Sequence, residues 1–284
     1  MALGDTVRGL LELTRPVNSI AAGVLTFIGA YIAGGVTGAP LETTAAVGAT
    51  VLATSAGNAI NDYFDREIDR INRPERAIPR GAVSPRGALA FSLICFVLAV
   101  VLALTLPPLA IAIAAVNLLA LLAYTELFKG LPGVGNVVVA YLGGSTFLFG
   151  GAAVGDVGAA GVLFLLAALS TVTREIVKDV EDLEGDREEG LNTLPIAIGE
   201  RKALLVGATA LVLAVLASPV PYLRGDFGVA YLIVVVPAVA LMLYATYESF
   251  EDPTTAQNRL KYGMFLAALA FIVGRLAADT TLLV

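Results

Sequence analysis

From Gly87 to Thr125 the chain carries no charged side chain, and the same pattern recurs along its length: long apolar runs, with the charges confined to a few short stretches between them. A bilayer imposes that pattern. A spanning helix shows hydrocarbon roughly 20 apolar residues and satisfies its backbone polar groups internally. Composition agrees, with 57% hydrophobic and 15% charged residues, where soluble domains average about 25% charged. The single cysteine, Cys95, lies inside an apolar run, and the chain has no histidine. A disulfide framework, a cysteine-based metal site, His-ligated metals and a His general base are thereby excluded. No short apolar stretch with a cleavage site opens the chain, so it is expected to be mature.

Nine apolar runs are long enough to span, at about 16–36, 43–63, 88–106, 108–125, 134–154, 157–174, 203–221, 229–247 and 262–280. Pro107-Pro108, Pro132-Gly133 and Gly155 fall at the joints, where helices stop. The expected fold class is all-α: a polytopic membrane protein of about nine transmembrane helices, forming one integral-membrane domain over 1–284. Lys and Arg set the orientation. With the N-terminus in the cytoplasm, sixteen of them face inside and only Arg224 and Arg275 face outside. An odd number of spans then places the C-terminus outside the cell membrane, with the chemically rich segments on the cytoplasmic side.

Two of those segments match. Asn58, Asp62, Asp65 and Asp69 are spaced 4, 3 and 4 apart, and so are Glu175, Asp179, Asp182 and Asp186, each 117 positions after its counterpart; Lys178 stands where the first set has Asn61. At about 100° per residue each set fills one face at the cytoplasmic end of its helix. Stacked carboxylates repel one another, and a divalent cation relieves this. Hard oxygen donors without His or Cys favour Mg²⁺ or Ca²⁺, and two such faces suit metal ions around a diphosphate. A lone acid at a helix end is ordinarily a solvated anchor. Two matched acidic faces at the membrane edge point instead to a functional site.

Basic residues accompany the acids. Between the second and third spans, Arg70, Arg73, Arg76, Arg80 and Arg86 alternate with Pro74, Pro79 and Pro85. The segment suits a topology-setting loop and also an anion-binding lid, since Arg matches phosphate geometry. Tyr124 and Lys129 follow the fourth span, Arg15 and Asn18 open the first, and Lys178 lies among the second acids. Lys129 reads equally as a membrane-edge anchor or a phosphate ligand.

The pairing of Asn61-Asp62-x-x-Asp65-x-x-x-Asp69 with Asp182-x-x-x-Asp186 in a nine-span chain closely resembles the UbiA-type intramembrane prenyltransferases. The likeness covers nearly the whole chain, including RPVN at the first span and the Tyr124–Lys129 segment. The stretches NDYFDREIDRINRPERAIPRG and REIVKDVEDLEGDREEGLNTLPIAIG look most like the archaeal branch, which forms the second ether bond of archaeal lipids. Chlorophyll synthases share DREIDxIN, IPxG and LP, so an aromatic or chlorophyllide-type acceptor stays open. The resemblance implies Mg²⁺ held by Asn61, Asp65, Asp69, Asp182 and Asp186, with Asn58, Asp62 and Asp179 as further ligands or support. It implies a prenyl diphosphate donor, a lipid-like glyceryl phosphate acceptor, surrounding membrane lipid and no nucleic acid. Asp65, Asp69, Asp182, Asp186 and Tyr124 become the catalytic candidates, with the Tyr124 ring facing an allylic cation. Arg15, Asn18, Asn58, Arg73, Arg76, Lys129 and Lys178 become the substrate-binding candidates. A central cavity open to the cytoplasm is expected, with the two acidic faces on opposite walls about 8–12 Å apart, as metal–oxygen bonds and a diphosphate in series require. Transport is the reading from another class, but transporter sites usually sit near the bilayer midplane, whereas these acids lie at its edge.

Overall fold

The computed structural model describes residues 3–128 and 130–281, and its regular structure among those residues is helical throughout. In chain order the helices longer than four residues are α1 (Leu3–Leu13), α2 (Pro16–Ile32), α3 (Pro40–Phe64), α4 (Arg66–Asn72), α5 (Pro85–Ala103), α6 (Pro108–Ala123), α7 (Val134–Ala153), α8 (Gly158–Glu181), α9 (Leu183–Glu188), α10 (Leu194–Ile198), α11 (Glu200–Ala217), α12 (Ala230–Glu248) and α13 (Pro253–Thr281). A single π turn over Tyr124–Phe128 extends α6. Proline occupies the first turn of α2, α3, α5, α6 and α10, where its fixed φ suits the helix and its missing N–H costs nothing. The Ser84 hydroxyl completes the start of α5 by accepting from the Gly87 amide at 3.0 Å.

Among the described residues, each of the nine apolar runs falls on its own helix. Six segments are long and apolar enough to cross a membrane: α5, α7, α8, α12, α13 and the stretch Glu200–Leu223 that begins with α11. Two more, α2 and α6, are apolar but shorter. The chain is a multi-pass membrane protein. Some boundaries differ from expectation: α2 stops at Ile32, not near 36, α8 runs on to Glu181, not 174, and α13 begins at Pro253, not near 262. Its first turns are polar, yet the Asp252 carboxylate accepts from the Thr255 amide at 3.0 Å, and Arg259 pairs with Glu248 of α12. An apolar run marks where a helix meets hydrocarbon, not where it starts.

Helices α12 and α13 form a hairpin, α7 and α8 another, and α3 packs on α5. Both acid-bearing helices, α3 and α8, pack against α2 and α7, which lie at the centre. Ile28, Phe147, Leu163, Tyr231 and Phe271 join α2, α7, α8, α12 and α13 in one core. Leu93, Val97, Val101, Ile233 and Val236 stay exposed on the outer surface, as lipid-facing positions do.

The amphipathic α1 lies outside the nine runs. Its Leu13 is fully buried with Ala59, Ala77, Ile78, Val83 and Ala88, while Val7 and Leu11 are exposed. The Arg-Pro loop is therefore a packed structure. Ala77, Ile78 and Val83 anchor it, and Arg80 donates to Glu12 of α1 at 2.6 Å. That bond holds the Glu12 carboxyl below its ordinary range.

Candidate active site

Asp65 and Asp182 occupy the same structural position. Each is the single residue between a long helix and a short one, with φ −80°, ψ 0° at Asp65 and φ −87°, ψ 7° at Asp182. The backbone bonds repeat as well. The Asp65 amide donates to the Asn61 carbonyl at 2.8 Å and the Asp69 amide to Asp65 at 2.9 Å; the Asp182 amide donates to Lys178 and the Asp186 amide to Asp182, both at 2.9 Å. The 117-residue spacing thus corresponds to a repeated helix–joint–helix unit. Both joint residues are exposed, as is Asn61.

The rest of the two sets differ in how their charge is met. Asp62 and Asp69 are 7% and 5% exposed. Buried carboxylates require partners, and these have arginines. Arg15 donates to Asp62 Oδ1 at 2.6 Å, and Arg76 Nη1 bridges Asp62 Oδ1 at 3.3 Å and Asp69 Oδ2 at 2.6 Å. Arg15, at φ 45° and ψ 70°, is the non-glycine residue with positive φ among the described residues. Such a backbone costs about 1–3 kcal/mol and persists where the surroundings fix it; here Asp62 and the Pro16 helix start do so. Asn58 donates to the Thr14 carbonyl at 2.9 Å, tying α3 to the entry of α2.

In the second set Asp179 is met by a neutral partner. Asn136, 6% exposed on the first turn of α7, donates to Asp179 Oδ2 at 2.7 Å. Lys178 approaches Asp182 at 3.8 Å with both side chains half exposed, and Glu175 pairs with Arg174 at 2.7 Å. Burial pushes the Asp186 carboxyl up, with Asp182 and Glu189 acting in the same direction. Tyr124, at the π turn, lies within electrostatic reach of Glu175, Asp179 and Asp186, so the fold brings it to the second set. The Asn192 amide donates to the Gly130 carbonyl at 3.2 Å, which closes the loop beyond α6 onto the loop beyond α9. Lys129 lies outside the described residues. Arg73 is exposed at the end of α4, and Asn18 is exposed on the first turn of α2; neither makes a side-chain hydrogen bond or ion pair to the acids among the described residues.

Two cavities adjoin the acids. One of about 670 Å³ is lined by Asp182, Asp186, Glu189 and Glu200 among others. The other, about 410 Å³, is lined by Arg8, Glu12, Arg15, Asp62, Arg76 and Arg80, with Glu75 and Ala77. The donor chemistry fits Mg²⁺. Every candidate ligand is a hard oxygen, and Mg²⁺ typically uses only one or two carboxylates, taking water and phosphate for the rest. Among the described residues no three acids gather closely enough to cage a bare ion, which suits a metal that is shared with a phosphate.

Asn136 escaped the sequence reading, although an amide at the edge of an apolar run was a visible signal. A hydrogen bond to a charged group contributes about 1.5–3 kcal/mol. Asn136→Leu is expected to lower kcat/KM by about tenfold to a hundredfold on that basis, in steady-state assays at saturating Mg²⁺. An unchanged rate would assign Asn136 to packing alone.

Residues 22–269 match the UbiA prenyltransferase family. The chain belongs to that family. It is 66% identical over 274 residues to the digeranylgeranylglyceryl phosphate synthase of Natronomonas pharaonis, covering 96% of this chain and 99% of that protein. A solved structure of a digeranylgeranylglyceryl phosphate synthase matches with TM-score 0.82 at 38% identity, over 95% of this chain and 98% of the other. A UbiA homologue from Archaeoglobus fulgidus, solved with GPP and Mg²⁺, shares the fold at TM-score 0.70 and 18% identity, over 95% and 99% of the two chains. UbiA membership sets the transporter reading aside.

Proposed function

We propose that the chain transfers a geranylgeranyl group from geranylgeranyl diphosphate to the free hydroxyl of geranylgeranylglyceryl phosphate, forming the second ether bond of archaeal membrane lipids. The observation that carries this reading is the matched pair of acid joints, Asp65 and Asp182, in a UbiA chain 66% identical to a digeranylgeranylglyceryl phosphate synthase. The nine helices each span the membrane, with the N-terminus cytoplasmic, the C-terminus outside and the cavities beside the two acid sets opening to the cytoplasm.

Asn61, Asp65 and Asp69 on one side, and Asp182 and Asp186 on the other, hold Mg²⁺. The ion, when bound, supplies charge neutralisation for the departing diphosphate. Asn58, Asp62 and Asp179 support these ligands. Arg15 and Arg76 place two guanidiniums beside the first set, where they stabilise negative charge as the donor C–O bond breaks. The Tyr124 ring faces the resulting allylic cation. The acceptor hydroxyl attacks that carbon and loses its proton to a carboxylate or to the released diphosphate, since the chain has no histidine. Arg73 and Lys178 receive the acceptor phosphate, and the prenyl chains lie between helices, open to lipid.

The deciding experiment incubates purified protein and Mg²⁺ with labelled geranylgeranyl diphosphate and four acceptors: geranylgeranylglyceryl phosphate, a hydroxybenzoate, a naphthoate and a chlorophyllide. Label is expected in the glyceryl phosphate alone. Preferential labelling of an aromatic or chlorophyllide acceptor would overturn the assignment. Arg73→Gln should then raise the acceptor KM more than the donor KM, by about tenfold to a hundredfold for a lost charge-assisted bond. Equal damage to both would place Arg73 on the diphosphate.

A further inference from the structure

At about 100° per residue, the end of α8 carries Glu175, Asp179 and Asp182 on one face and Val177 and Val180 on the opposite one. The valines are 1% and 7% exposed and pack with Ala256 and Leu260 of α13, both fully buried. The wall behind the second acid set is therefore the head of α13, the polar turns that precede its apolar run. Arg259 pairs with Glu248 and lies over the Tyr244 ring at 5.3 Å, which fastens that head to α12. Apolar contact is non-directional, so the valines alone leave α8 free to turn about its axis. A hydrogen bond has a preferred direction and removes that freedom. Arg174 supplies one, standing on the flank of α8 between the two faces. It pairs through Nη1 with Glu175 Oε1 at 2.7 Å and donates through Nη2 to Gln257 Oε1 of α13 at 3.2 Å. The side chains of Arg174 and Glu175 are both mostly buried.

We infer that Gln257 is a positioning residue for prenyl transfer: through Arg174 it sets the rotation of α8, and with it the direction in which Asp179 and Asp182 point. This rests on the diphosphate-and-metal reading above and adds what aims its second acid set. Glu175, which heads that set, belongs to the strut. Among the described residues its ion-pair partner is Arg174, while Lys178 approaches Asp182. The residue heading the first set is likewise tied to a neighbouring segment, since Asn58 donates to the Thr14 carbonyl at 2.9 Å. The Thr173 hydroxyl donates to the Gly207 carbonyl of α11 at 2.8 Å and fixes the span just before Arg174. The turns beyond it are gripped from two sides, by Asn136 of α7 on Asp179 and by Gln257 of α13 on Arg174. Arg174 has a second effect. It answers the Glu175 charge one turn before Asp179, where an unpaired carboxylate would repel its neighbour.

The test combines backbone hydrogen exchange, read by mass spectrometry without metal or substrate, with steady-state kinetics. Gln257→Leu is expected to speed amide exchange over 175–186 and to leave 58–72 unchanged. It should lower kcat by about tenfold to a hundredfold, as a small misplacement of catalytic groups does, and raise the Mg²⁺ concentration needed for half-maximal rate. Gln257→Glu keeps an accepting oxygen for Arg174 and should restore the exchange pattern and the Mg²⁺ requirement. Arg174→Gln should be more damaging than the double variant Arg174→Gln/Glu175→Gln, which also removes the stranded charge. Glu175→Gln alone should cost less than Asp182→Ala. Unchanged exchange over 175–186 in Gln257→Leu would overturn the inference. So would a lower kcat with an unchanged Mg²⁺ requirement, the mark of a smaller folded fraction. Equal damage from Glu175→Gln and Asp182→Ala would make Glu175 a ligand and overturn it too, even if Arg174→Gln failed to fold. Failure of the broader reading looks different: the unsubstituted protein would show no Mg²⁺-dependent transfer, while the exchange effect of Gln257→Leu would persist.

Discussion

Alanine at Asp65 or at Asp182 is expected to abolish prenyl transfer while the protein remains folded. Both residues sit exposed at helix joints, so neither side chain holds up the core, and truncating an exposed carboxylate leaves no buried partner unsatisfied. Their proposed work is electrostatic, through metal held against the leaving diphosphate, and loss of one such element typically lowers turnover by about a hundredfold to a thousandfold. Each substitution should therefore cost at least that much in kcat with little change in thermal unfolding in detergent. EDTA in excess should give the same loss, and Mg²⁺ should reverse it. Full activity in EDTA, or an active Asp182→Ala protein, would refute the two-set mechanism. Asp62→Ala differs in kind, because it leaves Arg15 and Arg76 with a buried carboxylate fewer between them, so its damage should include stability.

The other large effect is expected far from the chemistry, where α2 crosses α7. A Cβ on Gly150 would collide with the Thr26 carbonyl oxygen and stand 2.8 Å from the Ala30 amide nitrogen; one on Gly29 would collide with the Phe147 carbonyl oxygen and stand 2.8 Å from its Cα. The obstacles are backbone on both sides, so no rotamer change relieves them. Small residues let membrane helices approach this closely, and both acid-bearing helices lean on this pair. Gly150→Val is expected to exceed the usual overpacking cost of about 1–3 kcal/mol and to eliminate monodisperse protein after solubilisation. Substitution at Gly57 or Gly161, where a Cβ meets nothing within 4 Å, is the matched control and should be tolerated. Equal yields from Gly150→Val and Gly161→Val would mean that the crossing is looser than described.

The spans and the acid repeat were legible because each depends on a property carried by single residues in local order. Hydrocarbon selects apolar runs one helix at a time, and a spacing of 4, 3 and 4 survives any arrangement of the helices around it. The family resemblance rested on the same local strings. What the sequence alone left open is which charge answers which. Asp62 and Asp179 are equivalent by spacing, yet one is held by two arginines from 47 residues before and 14 after it, and the other by an asparagine 43 residues before it. Those partners come from α2, the Arg-Pro loop and α7, and only packing chooses them. The same holds for α1. Its polar and apolar residues are evident in the chain, but its role as the floor beneath the Arg-Pro loop follows from the burial of Leu13 against Ala77 and Val83. Local patterning determined where the carboxylates stand on their helices. Tertiary packing decided which are already neutralised, because charge compensation acts through space between segments that the sequence keeps apart.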